Sequence, residues 1–514
     1  MEADETTPAG GATAGAADAA RRGQLGGPAW EVLVVEETGS RRGRGRALQA
    51  ALREAVRAGR LGPGTQLPSS RELAADLGVS RGLVTDAYAQ LTAEGYLAGR
   101  QGAGTWVAAA GQEPEPRPAA VFAADDRGGP DDLRPGLPDL ALFPRAAWSA
   151  AHRRVMTALP HRAFGYPDPR GLPELRAALA ALLGRRRGVA ADADQVVVTS
   201  GVAQAHTLLG LVLHARGQRA TAVEDPGSPE HAVLLGATGL TAVPVPVDAE
   251  GLSVAALAAS GVRSAVVTPC HQFPSGVAYS AARRAALADW ARECGGVVVE
   301  DDYDGDFRYD RQPVGALQGL APGHVVYTGS ASKSLAPGLR LGWLVGPRDL
   351  VAEVAERKRT MDLGHPVTEQ AVLADFLTSG GYDRQLRRCQ RLYRARRDAL
   401  VAALAEYAPG AEVSGIAAGL HAIVTLPAHH GPEPRFLAAA ARAGVAVRPL
   451  SDYRAAAGRP ADGDGEGDGD GRVRLVVGYA HLAPEAIARA VRLLVDRPVH
   501  RARRLSGETG EAWG

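Results

Sequence analysis

The stretch HVVYTGSASKSLAPGLRLGW, residues 324–343, decides the fold. A β-branched apolar run ends in small residues and then in Lys333, one of only two lysines among 514 residues; the other is Lys358. The chain otherwise carries its positive charge on arginine. A guanidinium stays protonated, whereas a lysine amine can lose its proton and attack a carbonyl carbon. Lys333 is therefore a candidate for chemistry. In open α/β sheets ligands gather at the carboxyl ends of strands, the place this lysine occupies if 324–330 is a strand.

Three further runs have the same character: QVVVTSG (195–201), SAVVTP (264–269) and GGVVVEDD (295–302). Helical stretches such as Ser280–Cys294 separate them. That rhythm predicts an α/β unit with a largely parallel, doubly wound sheet. A smaller α+β part follows, with a long helix over Tyr382–Tyr407 and strands in LHAIVTL (420–426) and RVRLVVGYA (472–480). The run ADGDGEGDGDG (461–471) reads as a solvated surface loop, since it lacks the apolar residues of a calcium loop. No metal site is expected.

The amino-terminal part has a different grammar. Leu48, Leu52 and Val56 recur at helical spacing, the buried stripe of one helix. Ser69 or Ser70 is placed to cap a second helix with Leu73, Ala74 and Leu77 inward, ended by Gly78. Ser80 caps a third, with Val84, Tyr88 and Leu91 inward and Arg81, Gly82, Thr85 and Asp86 outward. Two short helices around a glycine turn make a helix-turn-helix, whose second helix fits a major groove. GYLAGRQGAGTWV (95–107) adds two strand-like pieces around a Gly-rich tip, a wing. Ten arginines against five acids between Arg41 and Val107 give this block a net +5, while the whole chain stands at +1. A basic module on a neutral chain is the footprint of a DNA binder.

Composition, at 46% hydrophobic and 22% charged, supports a packed core. Three cysteines without paired spacing point to a reducing compartment. No secretory segment and no apolar run of about 18 residues appears, so a cytoplasmic protein without a membrane partner is expected. The expected division is a disordered tail (1–27), a winged helix-turn-helix (28–108), a Pro- and acid-rich linker (109–130), a large unit (131–498) and a second tail (499–514).

The large unit offers three chemical parts at one sheet edge. Lys333 supplies an amine, EDDYDGDF (300–307) supplies carboxylates, and the helix starting near Val202 supplies unpaired backbone N–H groups for a phosphate. Pyridoxal phosphate needs these three: a Schiff-base lysine, an acid for its ring nitrogen and a phosphate cradle. Ser330, Ser332 and Arg340 complete the cup.

From LRPGLPDLALFP (133–144) to GYAHL (478–482) the chain resembles the fold-type I aminotransferases, and LPSSRELAADLGVSRGLVTDAYAQLTAEGYL resembles the GntR winged helix. The two together resemble a MocR-type (GabR/PdxR-like) member of the GntR family. The tracts YPDPRGLPELR, VEDPGSPEHA, HQFPSG, EDDYDGDFRYD and the Lys333 segment carry the match. The resemblance implies that Lys333 holds pyridoxal phosphate covalently, Asp301 pairs with its ring nitrogen and Tyr303 bonds its ring hydroxyl. It implies that the amides of Gly201, Val202 and Ala203 hold the phosphate. It also implies a head-to-tail, domain-swapped homodimer in which Tyr166 reaches the neighbouring subunit's phosphate. Asp301 rather than Asp302 is implied because the family's acid stands two residues before the tyrosine. Arg71, Ser80, Arg81, Thr85, Gln101 and Gly102 would face operator DNA.

Three departures stand beside the match. Ser228 replaces the aromatic residue that stacks on the cofactor, leaving His231 and Phe273 as alternatives. Arg474 is the candidate for an effector carboxylate, although a register shifted by two puts Val476 there. Arg472 shares that strand face. Gly82 stands where a base-reading side chain is common. The implied function is a transcriptional regulator that senses an amine, an amino acid or the B6 vitamer itself. An effector amine would take the lysine's place, and domain closure would shift the paired winged helices, with effector and operator coupled reciprocally. The alternative is an active aminotransferase carrying a DNA-binding appendage; a weak half-reaction fits either reading.

Overall fold

The computed structural model describes residues 41–100, 104–108, 131–309, 314–455 and 471–495. The expected tails, the linker 109–130, the wing tip Gln101–Gly102 and nearly all of the acidic run 461–471 lie outside the described residues. The chain divides into two compact units, Met1–Ala124 and Asp125–Gly514.

In the first unit α1 (Arg41–Arg57) precedes a short strand β1 (Gln66–Leu67), then α2 (Ser70–Asp76), α3 (Arg81–Ala93) and the hairpin β2 (Leu97–Arg100) and β3 (Gly104–Val107). Ser69, not Ser70, caps α2: its Oγ accepts from Glu72 N at 3.2 Å, and Glu72 Oε2 accepts from Ser69 N at 2.9 Å, a complete capping box. Ser80 caps α3, accepting from Leu83 N at 3.4 Å. Leu48, Leu52, Val56, Leu73, Val84 and Leu91 are buried in one core, while Leu77 is only partly buried against it. Tyr88 Oη donates to Pro68 O at 3.0 Å and fixes α3 against the approach to α2. β3 pairs antiparallel with both β1 and β2, so the wing is a three-stranded sheet.

The second unit opens with α4 (Arg145–Ala158) and α5 (Pro173–Arg187). Its first half continues as β4 (Val196–Thr199), α6 (Val202–Ala215), β5 (Ala220–Asp225), α7 (Pro229–Gly236), β6 (Thr241–Asp248), β7 (Gly251–Leu252), α8 (Val254–Ala259), β8 (Ser264–Val267) and α9 (Ala281–Cys294). Then come β9 (Val297–Asp301), β10 (Val325–Ser330), β11 (Gly342–Val345), α10 (Arg348–Asp362), α11 (Val367–Thr378) and the long α12 (Gly381–Tyr407). The final part is β12 (Glu412–Ser414), β13 (His421–Thr425), α13 (Glu433–Arg442), β14 (Arg448–Pro449), β15 (Arg474–Gly478) and α14 (Pro484–Val495).

The eight-stranded sheet runs β4-β11-β10-β9-β8-β5-β6-β7. β10, β9, β8, β5 and β6 are parallel, whereas β11 is antiparallel to both β4 and β10, and β7 to β6. The expectation of a largely parallel sheet holds with these two reversals. Side chains alternate between two cores: Val196 and Val198 pack with Leu175 and Leu179 of α5, and Val197 with Leu208 of α6 and Val354 of α10. Burying each such side chain contributes about 1.5–3 kcal/mol. A four-stranded antiparallel sheet, β12-β13-β15-β14, packs with Leu400, Phe436 and Ile487 in a separate core. The three cysteines are free. No described helix is long and apolar enough to cross a membrane.

Candidate functional site

The antiparallel β11 builds the site's edge. Its first residue, Gly342, pairs with Thr199 at the end of β4 and with Ser330 at the end of β10. The start of β11 therefore meets the carboxyl ends of its neighbours, and Arg340 comes to the start of α6. Arg340 adopts a left-handed backbone, φ 51°, and its Nη2 donates to Ser200 O at 2.5 Å. Such a conformation in a non-glycine residue costs energy and persists only when its surroundings hold it. Gly201, φ 89°, caps α6 without a side chain; a Cβ there would lie 2.8 Å from Arg340 Nη2. A Cβ on Gly342 would lie 2.6 Å from Gly201 Cα. Gly201 is required by its positive φ, and Gly342 by its close approach to the Gly201 backbone. The first-turn N–H groups of α6, including those of Val202 and Ala203, have no intrahelical acceptor, and with Arg340 they form a cradle for an anion. Ser330 Oγ accepts from Ser332 N at 3.4 Å beside it. Beneath the cradle Gln204 accepts from Ser200 N at 2.8 Å and from Lys358 Nζ at 3.2 Å, while Lys358 pairs with Asp362 at 2.6 Å. The second lysine is thus buried and engaged.

Asp301 ends β9, beside Thr328 of β10. It is buried: Oδ2 lies 3.1 Å from His231 Nε2, and Oδ1 has no hydrogen-bond partner among the described residues. Burial pushes its pKa up, but the His231 hydrogen bond and the His206, His231 and Lys333 charges overcome this and hold it below the usual carboxylate range. Burial pulls His231 down and Asp301 more than reverses that, so His231 is raised. Buried His206 is pushed down to about 4. The next residue, Asp302, points the other way, accepting from Arg187 Nε at 2.7 Å and Tyr327 Oη at 2.7 Å.

Tyr303 Oη donates to His271 O at 2.9 Å and lies 3.0 Å from His271 Nδ1, which is 2.8 Å from Asp304 Oδ2. Burial and the carboxylates of Asp304 and Asp301 raise the Tyr303 phenol well above its ordinary value, so it remains a donor. Burial opposes charge on His271, and Asp304 overrides it, so His271 is raised. Burial, then His271, pushes His421 down to about 3. Among the described residues the potential metal ligands fall into two triads, His206–His231–Asp301 and His271–Asp304–His421. In each, a histidine already occupies one carboxylate oxygen.

A cleft of about 460 Å³ opens onto Asp301, Tyr303 and Lys333, with Phe273, His231 and His421 on its walls and Arg134 and Arg448 among its polar groups. Lys333 Nζ donates to Gly136 O. Backbone pairing of Leu133 N with Ala446 O, 2.8 Å, brings the Arg134 and Arg448 segments together.

The structure brings Lys333, Asp301 and Tyr303 to one cleft, and Gly201, Val202, Ala203, Ser330, Ser332 and Arg340 to the sheet edge beside it. The expectation that Arg474 reaches the cleft does not hold. His421 pairs with Gly478 and Thr425 with Arg474, so Arg474 stands four residues, about 13 Å, along the strand from the cleft wall. Arg472 is also elsewhere, paired with Glu412 at 2.8 Å, and Val476 is buried in the strand. His231 serves Asp301, while Phe273 packs on Tyr303, His421 and Tyr453. Ser228 Oγ donates to Glu230 at 2.7 Å. Tyr166 is 87% exposed. In the first unit Arg71, Ser80, Arg81 and Thr85 are exposed, with Arg81 Nε donating to Ser70 Oγ at 3.4 Å and Thr85 Oγ1 to Arg81 O at 3.0 Å. Sequence reasoning missed His206, Asp304, Arg134, Arg448 and His421; nothing in their spacing announces them.

Residues 137–494 match the family described as aminotransferase class I and II, and residues 45–107 match bacterial regulatory proteins of the gntR family. The chain is 34% identical over 415 residues to the HTH-type pyridoxine biosynthesis transcriptional regulator PdxR of Corynebacterium glutamicum, covering 79% of this chain and 88% of that protein. It is 35% identical over 378 residues to the probable rhizopine catabolism regulatory protein MocR of Rhizobium meliloti, covering 70% and 76%. Its fold resembles Pyrococcus horikoshii kynurenine aminotransferase, solved in complex with PMP, with a TM-score of 0.62 and 26% identity over 71% of this chain and 89% of that one. A winged helix joined to an aminotransferase-like unit defines a class of transcriptional regulators. The chain belongs to the MocR-type branch of the GntR family.

The residues present fit pyridoxal phosphate. The unpartnered Asp301 Oδ1 meets the need for an acid at the ring nitrogen, the α6 cradle with Arg340 suits the phosphate, and Lys333 is an amine opening on the same cleft.

Proposed function

We propose that the second unit binds pyridoxal phosphate and senses a primary amine, an amino acid or the B6 vitamer itself, while the winged helix holds operator DNA. The observation carrying this reading is the buried Asp301 Oδ1 without a partner, in a cleft that also exposes Lys333. When bound, the cofactor supplies an aldehyde that condenses with amines and a ring that withdraws electrons. Asp301 keeps a proton on the ring nitrogen, and His231 keeps Asp301 ionised and oriented. Tyr303 would hydrogen-bond the ring hydroxyl. Arg340 and the amides of Gly201, Val202 and Ala203, with Ser330 and Ser332, anchor the phosphate. Arg134 and Arg448 replace Arg474 as candidates for an anionic group on the effector. Tyr166, exposed in one chain, completes the phosphate site of a neighbouring copy in a head-to-tail homodimer. Arg71, Ser80, Arg81, Thr85 and the wing residues Gln101 and Gly102 meet the operator. The units occupy 28–108 and 131–498, joined by 109–130, and the protein works in the cytoplasm.

Borohydride reduction followed by peptide mass analysis tests the reading. A cofactor adduct is expected on the peptide containing Lys333, lost in Lys333→Ala while DNA binding persists. No adduct in the parent would sink it. Sustained turnover of an amino donor with a keto acid would favour an aminotransferase instead.

A further inference from the structure

Besides the histidine that serves Asp301, the second unit buries another histidine–carboxylate pair, His271 and Asp304, 2% and 3% exposed. None of the cofactor contacts named above uses it. His271 lies in the loop after β8, and Asp304 in the segment after β9. Both ring nitrogens are engaged. Nε2 lies 3.2 Å from Gly415 O, and a carbonyl oxygen only accepts, so Nε2 carries a proton. Nδ1 lies 2.8 Å from Asp304 Oδ2, so a second proton is held between nitrogen and carboxylate. The same histidine holds Tyr303 twice. Tyr303 Oη donates to His271 O at 2.9 Å and lies 3.0 Å from Nδ1. Asp304 therefore orients the ring, and the ring with its own carbonyl fixes the phenol that lines the cleft.

The surroundings leave this arrangement no slack. Gly419 has φ 82°, and a Cβ there would collide with both His271 and Asp304. A Cβ on Gly276 would collide with Gly415 Cα. Gly419 N donates to Phe307 O at 2.7 Å, and Tyr309 N to Ala417 O at 3.0 Å, which holds the chain after Asp304 against the segment between β12 and β13. From that segment's end, His421 places Nε2 3.1 Å from Pro274 O and its ring 4.9 Å from that of His271. Burying an ion pair gains little stability, because desolvation offsets the attraction. What this pair does accomplish is to fix one phenolic oxygen at the wall of the cleft.

We propose that His271, fixed by Asp304, is a positioning residue for the cofactor: it sets the hydrogen bond between Tyr303 and the ring hydroxyl, and through it the pH at which the bound cofactor's visible absorption changes. The proposal rests on the reading that pyridoxal phosphate occupies the cleft. A hydrogen bond to the ring oxygen stabilises its anionic form, so weakening that bond makes the site keep its proton to higher pH.

The test is a pH titration of the visible band in the full-length, cofactor-loaded chain. The parent is compared with Tyr303→Phe, His271→Asn, Asp304→Asn and the double variant His271→Asn/Tyr303→Phe. Tyr303→Phe is expected to raise the midpoint by about 1–2 pH units, the worth of one hydrogen bond to a charged group. His271→Asn should raise it by about one unit. Asp304→Asn keeps the shape and removes the charge, so a smaller rise is expected. In the double variant His271→Asn should add nothing to Tyr303→Phe, because it acts only through that phenol. The charged and titratable neighbours Asp301, Asp302, Glu224, Arg308 and His421 are the same in every variant, so the differences report the pair. A pair that only supports the fold would lower the melting temperature and leave the midpoint in place. An unmoved midpoint in His271→Asn and Asp304→Asn overturns the proposal, and so does an additive shift in the double variant. Should His271→Asn not fold, the near-isosteric Asp304→Asn decides by the same criterion. Failure of the cofactor reading shows separately, as a parent chain without a borohydride-sensitive visible band.

Discussion

Asp301 gives one buried oxygen to His231 and turns the other toward the cleft, whereas Asp302 is held by Arg187 and Tyr327. The two pKa directions in the first pair fix a pH window. His231 is raised, so its stabilisation is full below about pH 6.5 and lost as pH climbs through the raised value; Asp301 is lowered, so its share is present above about pH 4 and lost on acidification. His231→Gln should therefore destabilise by about 3 kcal/mol near pH 6, as expected when a buried charge loses its partner, and the deficit should narrow as the solution becomes alkaline. Thermal melts across pH check this, and a pH-independent deficit would contradict it. His421 behaves oppositely. Held down at about 3, it refuses a proton that the unfolded chain accepts below about pH 6.5. His421→Phe should gain on the parent by at most roughly 1.4 kcal/mol per pH unit as the pH falls from 7 to 5, read as converging melting temperatures. The choice of Asp301 over Asp302 is legible in the sequence, because alternation along a strand puts Asp301 and Tyr303 on one face. The His231 and His271–Asp304 contacts are not, since α7 and the loop after β8 reach these carboxylates only through tertiary packing.

Among the elements, α6 and β11 depend on two absent side chains. Gly201→Ala would drive a methyl group into Arg340 at a positive φ, and at least 1–3 kcal/mol of strain is expected, with cofactor phosphate affinity lost. Denaturant unfolding together with phosphate-dependent protection measures both. Gly82 is the opposite case. It sits in the first turn of α3 with open space around its Cα, so Gly82→Ala should stabilise the first unit by about 0.5–1 kcal/mol, seen as a higher melting temperature. The helices and parallel strands announced themselves by period and by caps such as Ser69 and Ser80. The reversal of β11 did not, because GWLV is apolar in either direction and only its pairing with Thr199 and Ser330 fixes the sense. The place of Arg474 was hidden for a related reason: strand register, not distance along the chain, decides which end meets the cleft.

For the whole molecule, the division into a DNA-binding and an aminotransferase-like unit was legible because the two parts differ in charge and in periodicity. A pairing of copies is not written in one chain's packing, but Tyr166 at 87% exposure and Phe164 at 55%, two residues apart, leave two aromatic side chains in water. If a second copy covers them, hydroxyl-radical footprinting should show Tyr166 protected at high protein concentration and oxidised on dilution. The scarcity of lysine has a practical side. Lys358 is wholly buried, with its ammonium on Asp362, so beyond the α-amino group an acylating reagent finds a single reactive handle, Lys333. Occupancy of the pocket by anything that masks that handle becomes visible as one missing mass increment, turning the native chain into its own single-site reporter without any engineered label.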